Sequence, residues 1–212
     1  MSAQQHGQDA QATIKKRQGT YLPHWTRDGS TYAVTFRLAD SLPRPVLEAW
    51  LFERRNIILT AEQIGRPLSE QEQERLQKLH SERIEAYLDA GHGDCWLRQP
   101  VVAQIVADAL RHFDTQRYRL HGWCIMPNHV HTIVEPHPGH ELPDILHSWK
   151  SFTAKAANRI LGKTGEFWQT EYYDHLIRDE GDYAHALNYL LENPVVAGLK
   201  NWQWVWSQEV AS

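Results

Sequence analysis

Hydrophobic and polar positions follow two periods along this chain. STYAVTFRLA (30–39) alternates and is rich in β-branched and aromatic residues, which predicts a strand. YRLHGWCIM (118–126) and HVHTIVEP (129–136) read as two more strands, joined by a tight turn at Pro127–Asn128. From Arg44 to Ala90 the period is helical, in two pieces broken near Gly65–Pro67. The second piece opens on Ser69 with Glu72 three residues later, a capping box, and carries only a thin stripe of Leu76, Leu79, Ile84 and Leu88. QPVVAQIVADALRHF (99–113) predicts a stronger amphipathic helix with Pro100 in its first turn. DILHSWKSFTAKAANRIL (144–161) predicts a helix from an Asp144 cap to Gly162. DYAHALNYLLEN (182–193) predicts a last one, capped by Asp182 and stopped before Pro194. Adjacent antiparallel strands with intervening helices indicate an α+β sandwich, with helices on one sheet face.

Composition narrows this picture modestly. The chain has 212 residues and a net charge of −4, and the charge is unevenly placed. Ten acidic and six basic residues lie between Glu48 and Asp94, so the remainder holds sixteen of each and is neutral. Electrostatics alone neither suggests nor excludes a DNA partner. The helical stretch 48–94 reads as an acidic insertion whose charge is solvated surface, on a single domain spanning 19–212. Residues 1–18 are polar and are expected to form a disordered tail, within which IKKR offers a polyanion contact. Cys95 and Cys124 are far apart without a C-x-x-C spacing, which fits a reducing compartment. No run of about 18 apolar residues predicts a membrane span, so a cytoplasmic protein with no membrane partner is expected.

The candidate chemistry centres on His129 and His131. Side chains two apart on a strand share a face, so both imidazoles point the same way while Val130 points oppositely. Such a pair can chelate one divalent ion, or can be two surface histidines. The last helix bears on the choice. At about 100° per residue, Tyr183, Ala184, Leu187, Leu190 and Leu191 share one face, while His185, Tyr189 and Asn193 line the opposite, polar one. A tyrosine there is either exposed surface or a functional group. Together the residues suit phosphoryl transfer: an ion at the histidines polarises a phosphate, the Tyr189 phenol attacks phosphorus, and the Asn193 side-chain oxygen completes the metal shell.

MPNHVH (126–131) followed by NYLLENPVVAGL (188–199) resembles the single-tyrosine HUH transposases, and within them the bacterial REP-associated tyrosine transposases. WKSFTAKAANRI (149–160), FWQTEYYDHLIRDEGDY (167–183), LPHW (23–26) and VTFRLADSLP (34–43) resemble that branch too, so the likeness runs over roughly residues 20–200. The resemblance implies a ferredoxin-like antiparallel sheet bearing the histidine pair, with helices packed on it. It implies a single-stranded DNA endonuclease and strand transferase that cleaves and rejoins DNA beside palindromic hairpins through a covalent phosphotyrosine. By motif, His129 and His131 take the place of the metal ligands, with Mg²⁺ or Mn²⁺ as cofactor, and Tyr189 that of the nucleophile. Asn193 stands where a third metal-binding side chain is found, although glutamine is usual there in the wider group. A nucleoid-associated bacterial protein, monomeric or homodimeric, is expected.

For DNA contact, Lys150, Lys155 and Arg159 form a stripe on the 144–161 helix suited to phosphates, or simply solvated. His175 and Arg178 border the site or are ordinary polar surface, and Trp168, Tyr172 and Tyr173 either stack unpaired bases or pack the core. Two other readings stay open. One is a domesticated hairpin-binding protein that no longer transposes. The other is a metal-dependent hydrolase unrelated to DNA, in which Glu135, on the same strand face, serves as a carboxylate ligand.

Overall fold

The computed structural model describes residues 15–18, 23–26, 29–69, 71–72, 75–76 and 84–208. Lys15–Gln18 (β1) pairs antiparallel with Pro23–Thr26 (β2). The first of these strands lies where the sequence suggests a tail; residues 1–14 lie outside the described residues. The elements that follow are Tyr32–Arg37 (β3), Arg44–Gln63 (α1), Glu85–Asp89 (α2), Pro100–His112 (α3), Tyr118–Ile125 (β4), His129–Pro136 (β5), Leu142–Leu161 (α4), Tyr173–Leu176 (β6), Glu180–Val196 (α5) and Val205–Ser207 (β7).

The α+β expectation holds. Five strands form an antiparallel sheet in the order β6-β3-β5-β4-β7. Alternation splits each strand between two faces. Tyr32, Val34, Phe36, Leu120, Ile125, Val130 and Val134 pack against Val102, Val106 and Leu110 of α3 and Ile145, Leu146 and Trp149 of α4. Two buried polar tips are satisfied there: Trp149 Nε1 donates to Tyr118 Oη at 2.9 Å, and Tyr118 Oη to the Leu110 carbonyl at 2.8 Å. The opposite face carries Cys124, Met126 and Ile133, covered by Leu187 and Leu190 of α5. The expectation of helices on one face is therefore corrected. Too few apolar residues lie on the second face to announce a cover from sequence, yet they suffice with Leu187 and Leu190.

Two helix boundaries differ from the sequence pattern. Helix α4 starts at Leu142 with Pro143 in its first turn, so Asp144 is a first-turn acid and not the cap. Helix α5 starts at Glu180: Asp179 Oδ1 accepts the Asp182 N–H at 2.9 Å, and Asp182 Oδ2 accepts the Arg178 N–H at 3.1 Å. Asp182 is one half of a reciprocal cap and not its first residue. The helix also runs through Pro194 to Val196. Proline's own φ is helical, so it removes one hydrogen bond without ending the turn.

The capping box read at Ser69 and Glu72 is present. Ser69 N donates to Glu72 Oε2 at 2.9 Å, and Glu72 N to Ser69 Oγ at 3.3 Å, closing the capping box. The apolar residues Leu42, Trp50, Ile57, Ile58, Leu76, Ile84 and Leu88 form a cluster of their own.

Candidate functional site

Hairpin β4–β5 turns at Pro127–Asn128, where Met126 N donates to the His129 carbonyl at 2.8 Å. His129 and His131 leave the turn on the α5 face and are almost fully buried. Their Nε2 atoms stand 2.9 Å apart. Two nitrogen ligands about 2.1 Å from one octahedral ion are about 3 Å apart, so the pair has the spacing of a chelate.

Neighbours set which nitrogens carry protons. Asn128 Nδ2 donates to the His92 carbonyl at 2.9 Å, which leaves Oδ1 to accept from His129 Nδ1 at 2.7 Å. His129 Nε2 is then unprotonated and presents its lone pair. His131 Nδ1 meets Thr35 Oγ1 at 2.8 Å, a hydroxyl able to donate or accept as the tautomer at Nε2 requires. Asn128 reads from sequence as a turn residue, and Thr35 as one position of an alternating strand. Both serve as orienters. The register pair Thr35↔His131 was the signal, and it exists only once strands are paired.

Burial pushes the His131 pKa from 6.5 down to about 3. Its sign gives a stability prediction. Below pH 6.5 the unfolded chain protonates at His131 while the folded one stays neutral, so stability is steady above 6.5 and is lost as pH falls toward 3. Urea midpoints should hold from about pH 8 to 7 and decline below about 6, more steeply in the parent than in His131→Asn. Equal slopes in the two proteins would refute a buried neutral His131.

Tyr189 lies against His131, its ring centroid 5.3 Å from that of the imidazole and nearly perpendicular to it. It is half-buried, where the helical pattern suggests exposure. The wheel is corrected in the same sense at Ala184, which is exposed, and at Asn193, which is 3 % exposed. Helix α5 is rolled toward the histidines because its polar side has polar groups beneath it. Asn193 lies one turn beyond Tyr189, and its Oδ1 is buried without a hydrogen-bond partner. Among the described residues no group of three or more His, Cys, Asp and Glu could hold a metal. The unpaired Asn193 Oδ1 is of a type able to donate to a hard cation.

A pocket of about 290 Å³ opens beside the pair, lined by Thr35, His131, Tyr173, His175, Asp182, His185 and Tyr189 among others. His175 Nε2 lies 2.9 Å from both Asp182 oxygens, so it faces the tyrosine pocket and not open surface. Arg178 is exposed. Lys150 departs from the stripe: Nζ donates to the carbonyls of Gln169 and Thr170 at 2.6 and 2.7 Å, and burial pulls its pKa to about 8. Lys155 and Arg159 are exposed on the same helix. Trp168 and Tyr172 belong to the main core, while Tyr173 lines the pocket. Glu135 contacts His121 at 3.4 Å and lies four positions, about 13 Å of strand, from His131.

Residues 93–192 match the family described as transposase IS200 like, just under half of the chain. A REP-associated tyrosine transposase of Escherichia coli (strain K12) is 27 % identical over 81 residues, which cover 38 % of this chain and 47 % of that protein. An uncharacterised Haemophilus influenzae protein is 27 % identical over 100 residues, covering 37 % and 55 %. The chain thus spans about half the length of these curated relatives. Among solved structures, a REP-associated tyrosine transposase bound to a REP hairpin aligns over 91 % of this chain and 82 % of that one, with 16 % identity and a TM-score of 0.48.

Proposed function

We propose that the chain, whose residues 93–192 match the family described as transposase IS200 like, cleaves and rejoins single-stranded DNA beside palindromic hairpins, with Tyr189 as nucleophile. One observation carries the reading: two buried imidazole nitrogens converge to 2.9 Å, and a tyrosine ring stands in perpendicular contact with one of the two imidazoles.

His129, His131 and Asn193 would hold the divalent ion, Mg²⁺ or Mn²⁺. When bound, it supplies polarisation of the phosphate and neutralisation of charge as the reaction proceeds. The chain's own residues do the rest. Asn128 and Thr35 hold the imidazoles in place, and helix α5 sets Tyr189 in the lining of the pocket. The phenol oxygen bonds to phosphorus, its proton passes to solvent or a pocket base, and the phosphorus–sugar oxygen bond breaks. The departing sugar oxygen takes a proton from water. Attack by a second DNA end reverses these events and frees Tyr189. Glu135 contacts His121 and lies about 13 Å of strand from His131, which disfavours it as the carboxylate ligand of an unrelated hydrolase.

A fluorescent hairpin with single-stranded flanks, incubated with Mg²⁺ or Mn²⁺ and separately with EDTA, tests the proposal. Metal-dependent cutting is expected. Tight binding without cutting in any metal would instead favour the domesticated binder, with REP-type hairpins as its partner.

The phosphate stripe reduces to Lys155 and Arg159. Replacing both with alanine should lower the salt slope of hairpin binding by about two units. Lys150→Ala should leave the slope unchanged and loosen the Gln169–Thr170 segment. An unchanged slope in the double variant would place the DNA elsewhere.

A further inference from the structure

Helix α1 of the insertion brings a tryptophan and an arginine to the histidine face. Arg37 ends β3 and is paired in register with His129. Their side chains therefore leave one sheet face with Cβ atoms about 5 Å apart. Arg37 is wholly buried. Its Nε donates to Gln169 Oε1 at 2.7 Å, but Nη1 and Nη2 are buried with no partner. Trp50 lies over the guanidinium at 5.0 Å, and Arg54 meets the same indole at 5.6 Å with its own buried Nε unpartnered. Burial, opposed by Glu171, leaves the Arg37 pKa lowered to about 10, so the group is charged at neutral pH.

Keeping a charged fork in the core with two donors unsatisfied is costly, and a purely packing role would be met by an apolar residue. With Trp50 beside the guanidinium, the edge carrying Nη1 and Nη2 still has no hydrogen-bond partner among the described residues. That edge matches two oxygens of a tetrahedral phosphate. A cation beside a histidine chelate raises the local positive potential, which suits an anionic substrate.

We propose that Arg37 positions the phosphodiester attacked by Tyr189, its two terminal nitrogens donating to the non-bridging oxygens, with Trp50 covering them until DNA enters. This rests on reading the chain as a DNA-cleaving protein. Apart from this contact, the apolar residues of α1 form a cluster distinct from those on the two faces of the sheet. The insertion thereby acquires a task, guarding the phosphate seat.

The test begins with wild-type protein and a fluorescein-labelled hairpin, to map the linkage cut. A second hairpin then carries an uncharged methylphosphonate at that linkage, and both are titrated by anisotropy in EDTA. Wild type should bind the phosphate form about tenfold more tightly, and Arg37→Gln should bind the two forms equally. If wild type cuts nothing, the DNA-cleaving reading fails and this proposal with it. If wild type cuts but Arg37→Gln keeps the tenfold preference, only the role of Arg37 is overturned. Trp50→Ala covers the case in which Arg37→Gln does not fold. Uncovering the fork should speed cleavage severalfold, and an unchanged or slower rate would overturn the proposal.

Discussion

Tyr189→Phe is expected to bind hairpin DNA, melt close to the parent, and form no covalent protein–DNA adduct. The ring rests edge-on against His131 at 5.3 Å, a contact phenylalanine retains. Only the hydroxyl is lost, at a cost of about 1 kcal/mol in stability. Removing the proposed nucleophile should lower cleavage by roughly 10⁴-fold or more. Other tyrosines are poorly placed to substitute. Tyr172 is part of the main core, and the Tyr183 hydroxyl meets His121 Nδ1 at 3.3 Å. Tyr173 is the real competitor, because it lines the same pocket. Peptide mapping of the wild-type adduct separates the two, and an adduct on Tyr173 would end the assignment to Tyr189.

The second large effect belongs to the histidines. His129→Ala and His131→Ala should each abolish metal-dependent cleavage and weaken Mn²⁺ binding by about 10- to 100-fold or more. Hairpin affinity should change little, since buried side chains 1 % and 4 % exposed are in no position to read bases. Both substitutions open a hole beneath α5, so a loss of about 1–3 kcal/mol is expected as well. Melting curves, Mn²⁺ titration and cleavage assays on the same preparations keep these effects apart. Normal cleavage by either variant would remove the metal site.

Much of the site was legible beforehand because its residues obey local periods. A strand puts His129 and His131 on one side whatever surrounds it, and a helix puts Asn193 one turn past Tyr189. The capping box at Ser69–Glu72 is equally local and is present as read. Boundaries were less legible. Asp182 reads as a cap by residue type, yet Asp179 competes for the role and takes it. Pro194 reads as a stop, yet it lies within the helix, buried.

What the sequence by itself determined is the set of elements and the facing of residues within each. Those depend on backbone geometry repeated over a few positions. What only tertiary structure decided is which faces meet. The strand order β6-β3-β5-β4 places Thr35 against His131 and Arg37 against His129, residues separated by some ninety positions along the chain. The roll of α5 over a polar sheet face buries Asn193 and exposes Ala184, against the leucine pattern. Lys150, a surface lysine by helical period, is taken up by two carbonyls of the loop folded back over it. In each case the deciding energy is burial and pairing of polar groups between distant segments, and no local period encodes it.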